Sequence, residues 1–162
     1  MCMKSIKIEE GESKSFTHIR VEYLTVCGKL SLTNDSIEAY HKYFDEHILK
    51  DDEDLTVFGL RVYGQCDVKF ISAHYVTVQN GGTFDAKLLT PCGIHHVYIC
   101  DGGTLKIEQY DHSRSSTVVE LVEGGRIEGP REVLENLINF IYDPCGHCKP
   151  VFVDGAIVGV EK

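Results

Sequence analysis

The sequence predicts a mainly β fold, a short β-solenoid of Gly-Gly-cornered coils with two amphipathic helices as caps. The alternative is an antiparallel β-meander or sandwich with two helices. Three observations carry the prediction. The stretches VTVQNGGTFDA, VYICDGGTLKI and VELVEGGRIEG, between Val76 and Gly129, repeat one pattern: alternating apolar residues, an acid or amide, Gly-Gly, then alternation again. Their second glycines, Gly82, Gly103 and Gly125, lie 21 and then 22 residues apart, and periods of about 20–50 residues mark repeat architectures. Two weaker copies lie upstream, LTVCGKLSL around Gly28 and LRVYGQCDV around Gly64.

The repeats read as strands joined by corners. Val76, Val78, Phe84 and Ala86 alternate with Thr77, Gln79, Thr83 and Asp85. A period of two puts one face in the core and the other in water. Asn80, Asp101 and Glu123 precede the glycine pairs. Asn and Asp tolerate positive φ, and glycine takes it without steric cost. Such a corner also suits a hairpin, as do Thr-Pro-Cys-Gly at 90–93 and Asp-His-Ser-Arg-Ser-Ser at 111–116. Constant spacing favours the solenoid, because each coil must match the circumference of its neighbour, whereas a meander is free to vary. Val78, Ile99 and Leu121 should then form one inward column, and Phe84, Leu105 and Ile127 another.

Residues 4–16 read as a short edge strand or a loose tail. Residues 17–32 carry two strand segments: Ile19, Val21 and Tyr23 share a face, then the alternation slips at Leu24, as at a bulge. Near 35–50 a helix is expected, with Asp35 as N-cap, Glu38 at capping-box spacing and Ile37, Tyr40, Phe44 and Ile48 as its apolar stripe. The run Asp51-Asp52-Glu53-Asp54 lacks the alternation and glycine of a calcium loop and reads as a solvated loop. Strands return over 55–75. A second helix is expected near 130–142, opened by Pro130, with Leu134, Leu137, Ile138 and Ile141 buried and Phe140 and Val133 widening the stripe. A C-terminal hairpin near 151–160 turns at Asp154-Gly155, with Val151, Val153 and Ile157 alternating.

NGGTFDA and DGGTLKI resemble the Gly-Gly-Thr-apolar corners of autotransporter adhesin passenger repeats. That resemblance covers about a third of the chain and implies a right-handed β-helix. Those passengers are exported, long and nearly free of cysteine, so the resemblance carries the fold and leaves the adhesin role aside.

Composition bounds the rest. The 162 residues fit one domain spanning 1–162,. Hydrophobic content of 43% and charged content of 25% are those of a globular chain,. A net charge of −9, from 25 acids and 16 bases, argues against a basic face for nucleic acid and against an anionic membrane surface. No apolar run is long enough to span a bilayer. The start, MCMKSIKIEEGESK, does not read as a signal peptide. Seven cysteines at irregular spacing read as free thiols in a reducing cytoplasm, some of them available to a metal.

The chemically loudest string is Cys145-Gly146-His147-Cys148-Lys149. CGHCK resembles the active-site string of protein disulfide isomerases, but here a helix precedes it and a proline and a strand follow. The reverse order is needed for a helix N-terminus to lower a thiol pKa. Two cysteines two residues apart are also half of a tetrahedral zinc site. The other half is sought among Cys92, Cys100, His95, His96, His112 and His147, and the metal candidates are Cys145, Cys148, Cys92, Cys100 and His147. His41 and His47 do not share a helix face. No catalytic residue and no bound cofactor other than zinc is expected, since the chain carries no nucleophile elbow, phosphate loop, HExxH or dinucleotide fingerprint.

These readings lead to a non-enzymatic binding or assembly protein, a scaffold such as a viral or phage component, with a protein partner or self-association into a homo-oligomer. The alternative is a thiol or zinc-binding protein centred on CGHC. A third reading is a β-helix enzyme acting on carbohydrate through acids on one flat face.

Overall fold

A computed structural model of the chain describes residues 5–16, 20–32, 56–68, 72–89, 94–110, 118–122, 124–142 and 148–161. Its described residues are mainly β. One sheet has seven strands: β1 (Ser5–Ile8), β3 (Arg20–Val26), β5 (Thr56–Val62), β7 (Ser72–Val78), β9 (Ile94–Ile99), β11 (Val118–Leu121) and β13 (Ile141–Tyr142), adjacent in that order. The second sheet, of eight, runs β2 (Ser13–Phe16), β4 (Lys29–Leu32), β6 (Gln65–Val68), β8 (Thr83–Leu89), β10 (Thr104–Tyr110) and β12 (Arg126–Glu128), then β15 (Ala156–Glu161) and β14 (Cys148–Val153). The chain thus alternates between sheets, and each strand through β13 pairs in parallel with the one two places earlier in sequence. Among the described residues only the β14–β15 hairpin pairs antiparallel, including its contact with β12. The repeats therefore do not form the antiparallel meander kept as the alternative.

Register follows the repeat. Ile8, Val26, Val62, Val78, Ile99 and Leu121 stand side by side across the first sheet. Leu30, Cys66, Phe84, Leu105, Ile127 and Ile157 do so across the second. All are at most 2% exposed. Both expected columns are present; each extends upstream of the three clear repeats, to Ile8 and to Leu30, and the second also extends downstream to Ile157. Burying such a side chain contributes roughly 1.5–3 kcal/mol, and the two columns supply much of the single core between the sheets,.

Where a corner holds a glycine pair, the two glycines do different work. Between β7 and β8, Asn80 (φ 54°) and Gly81 (φ 75°) are both left-handed, and the Gly82 N–H donates to the Gln79 carbonyl at 2.9 Å, a type I′ turn. Asp101 and Gly102 repeat it (φ 47° and 78°). The second glycine faces a closer constraint. A Cβ on Gly82 would lie 2.5 Å from the Val62 carbonyl oxygen of the rung beneath, and one on Gly103 would strike the Val78 carbonyl. Gly28 and Gly64 meet the backbone in the same way. Their corners are shorter: β3 ends at Val26 and β4 starts at Lys29. That is why these copies lack the first glycine.

The N-terminal residues, expected as an edge strand or tail, form a complete rung. Glu12 N–H bonds the Glu9 carbonyl at 3.0 Å, in a turn where Gly11 (φ 85°) is left-handed and Glu10 is not. At the other end the helix is shorter than expected. Helix α1 covers Arg131–Leu137, a 3-10 turn covers Ile138–Phe140, and Ile141 and Tyr142 form β13. Open backbone groups along β11 take up the β-branched Ile141 and the aromatic Tyr142 as a strand,. Leu134 and Leu137 are buried as expected, whereas Phe140 is 40% exposed, its ring edge-on to Tyr110 at 5.9 Å. Helix α1 rests on β10 and β15. In the hairpin, Asp154 (φ 51°) and Gly155 (φ 81°) turn as expected, but Phe152 rather than Val153 packs on the core, with Arg131 4.0 Å above its ring. The expected helix near 35–50 lies outside the described residues.

Candidate functional site

The outer face of the first sheet is the most distinctive surface. It follows from a step that recurs in its strands. Val21, Leu24 and Val26 are buried, as are Ala73, Val76 and Val78, and Ile94, Val97 and Ile99. In β3 and β7 two consecutive residues, Glu22-Tyr23 and His74-Tyr75, therefore point away from the core before alternation resumes, and β9 has the same spacing of buried residues. The slip expected at Leu24 is this step. It recurs in every one of these strands at the same place, so the parallel register passes through it unbroken.

The step lines up two outward rows. One runs Tyr23, Gly59, Tyr75, His96, Val118. The other runs Lys7, Thr25, Arg61, Thr77, Tyr98, Glu120, Tyr142. Tyr23 is 39% exposed, Tyr75 and Val118 42%, and Tyr142 54%. The Tyr23 ring lies over Gly59, where a Cβ would come within 3.2 Å of its Cδ1. Tyr75 and His96 rings sit 5.2 Å apart, tilted by 42°. His96 Nε2 is 3.3 Å from Glu120 Oε2, and that nitrogen is buried without hydrogen-bond geometry to any acceptor. The contact is one of charge and distance: protonation of His96 would turn it into an ion pair. Arg61 is exposed and makes no ion pair among the described residues.

The outer face of the second sheet differs in kind. Lys87 Nζ meets Asp85 at 3.3 Å and Glu108 at 3.2 Å, and these bonds raise the Lys87 pKa. Arg126 bonds Glu128 at 2.8 Å. Such exposed pairs contribute little to stability, but they leave that face polar and charge-paired.

Of the metal candidates, Cys92, Cys145 and His147 lie outside the described residues, as do His112 and the side chain of His95. Cys148 is buried at the start of β14. Cys100 is buried at the corner after β9, its Sγ 3.6 Å from Gln79 Oε1. Burial, then the Asp101 carboxylate, raise the Cys100 thiol pKa. Burial, then Asp67, push that of Cys66 up further still. Neither has the lowered pKa of a reactive thiol. Cys148 and the corner at Cys100 belong to β14 and the strand before β10, and β15 and β12 stand between β14 and β10. Among the described residues no three His, Cys, Asp or Glu side chains cluster as metal ligands would.

Sequence reasoning missed the aromatic rows. Their signal was present in the doublets Glu22-Tyr23, His74-Tyr75 and His95-His96, each between apolar residues three apart. No described helix is long and apolar enough to cross a membrane. No family model, no curated protein and no solved structure matches this chain.

Proposed function

We propose that the chain is a non-enzymatic binding or assembly protein built on a short right-handed β-solenoid, with the outer face of the first sheet as its contact surface. Alternate-strand parallel pairing supports the solenoid. The hand follows from the crossover rule, since a strand returning in parallel to the same sheet does so right-handedly in roughly 98% of cases. One observation carries the functional reading: Tyr23, Tyr75, Val118 and Tyr142 are 39–54% exposed on one flat face. The opposite face of the same chain places Gln65, Asp85, Lys106 and Glu128 outward. Tyrosine and arginine, with charge sparse at the centre, are the composition of protein contact surfaces.

A photo-cross-linking residue tests it. Placed at Tyr75 in the protein's native cell extract, it should give discrete protein adducts, and placed at Lys106 on the other face it should give none. No adduct at Tyr75, or equal adducts at both, would sink the reading.

A further inference from the structure

We infer that the partner of this face is a second copy of the same chain, docked about a two-fold axis that runs parallel to the strands between β7 and β9. The inference rests on the contact-surface reading above and adds the identity and geometry of the occupant.

Charge gives the first argument. A chain of net charge −9 repels its own copy, so self-association needs a surface that is neutral or self-complementary. Along the second outward row, Lys7 and Arg61 stand towards the N-terminal end and Glu120 towards the C-terminal end. A copy laid on in the same sense along the stack would set like charge against like. A two-fold axis along the strands reverses the order of rungs while keeping each row opposite itself. With the axis between β7 and β9, third and sixth strands face each other, so Arg61 of one copy meets Glu120 of the other, twice. Thr77 then faces Tyr98, and Thr25 faces Tyr142.

The first row gives the second argument. The same axis sets Tyr75 of one copy against His96 of the other. Within one chain these rings are already 5.2 Å apart. Four rings thus gather at the centre of the interface, where buried aromatic contacts contribute most. Towards the edge, Gly59 faces Val118, a missing side chain against an exposed apolar one.

Area gives the third. The axis leaves β1 without an opposite strand, so six strands at ~4.8 Å spacing and about five residues at ~3.3 Å make a rectangle of roughly 29 by 16 Å. Corrugated by its rings, that footprint reaches the ~600 Å² per partner at the small end of specific interfaces. Such a dimer assembles at micromolar rather than nanomolar concentration.

Sedimentation velocity on the full chain at tens of micromolar tests it, together with Arg61→Glu, Glu120→Arg, the double swap, and Lys106→Glu as a control on the other face. Circular dichroism and thermal melts establish that each variant folds. The expected result is a species of twice 18.2 kDa, association weakened roughly tenfold or more in each single variant, dimer recovered in the double swap, and no change in the control. Wild-type monomer alongside Tyr75 adducts to a different protein would overturn the inference and leave the contact surface standing. Monomer without any adduct would overturn both. A dimer indifferent to both single variants would place the interface elsewhere, and singles that monomerise without rescue by the double swap would overturn the two-fold geometry.

Discussion

Where a corner holds two adjacent glycines, they answer to different forces, and substitution separates them. Gly102 is left-handed (φ 78°), and a Cβ there would meet only ordinary contacts, 3.6 Å from the Gly81 nitrogen. Asparagine tolerates that backbone, so Gly102→Asn should cost about 1 kcal/mol or less. A Cβ on Gly103 would instead strike the Val78 carbonyl beneath it, and its N–H is bonded to Cys100 at 2.8 Å. Neither backbone can withdraw without breaking the stack, so Gly103→Asn should cost about 3 kcal/mol or more. Urea unfolding of both variants reads the difference, and equal costs would mean that the rungs do not touch there. The pairs were legible in the sequence as corners, because Asn or Asp before glycine is a local signal. Their division of labour was not, because the atom that forbids a side chain at Gly103 belongs to a residue 25 positions earlier.

At the level of elements, what could be read was whatever depended on period. The columns through Val78 and Phe84 follow from alternation alone. The rung at 5–16 was hidden because its single Gly11 and its lysines weaken the pattern, although its turn closes with the corresponding backbone hydrogen bond, Glu12 N–H to the Glu9 carbonyl. The second helix was overextended because Leu137, Ile138 and Ile141 continue a helical spacing. Only the open flank of β11 decides that the last two residues become a strand. The outward aromatic rows escaped for a related reason: a three-residue step breaks the period-two count that exposes a face. Helix α1 allows a direct check. Leu137 is fully buried, so Leu137→Ala should cost roughly 2–5 kcal/mol by leaving a cavity above β10 and β15. Glu135 is exposed and pairs with Arg131 at 2.9 Å, so Glu135→Ala should stay within about 0.5 kcal/mol of neutral. Thermal denaturation of the two variants distinguishes them, and similar losses would place the helix off the core.

At the scale of the whole molecule, a parallel stack has a problem at each end, because the last strand offers a row of unpaired backbone groups to any passing chain. The C-terminal end solves it by changing direction. β15 pairs antiparallel with β12 and sets Ile157 on Ile127, and β14 then becomes the edge. That edge carries Pro150, which has no N–H to donate, and the exposed Lys149, both of which discourage further pairing. The hairpin therefore acts as a terminator as well as a contributor to the core. A chain ending at residue 147 would leave Ile127 uncovered and the β12 edge open. It should keep a β spectrum by circular dichroism, yet associate into species that grow with concentration in light scattering. The full chain with Arg61→Glu should show no such growth, because that substitution touches only the proposed two-fold face. A truncated chain that stays at one defined mass across the same concentrations would show that β12 is protected by something other than the hairpin. The account of how this stack ends would then be wrong, while the parallel pairing within it would stand.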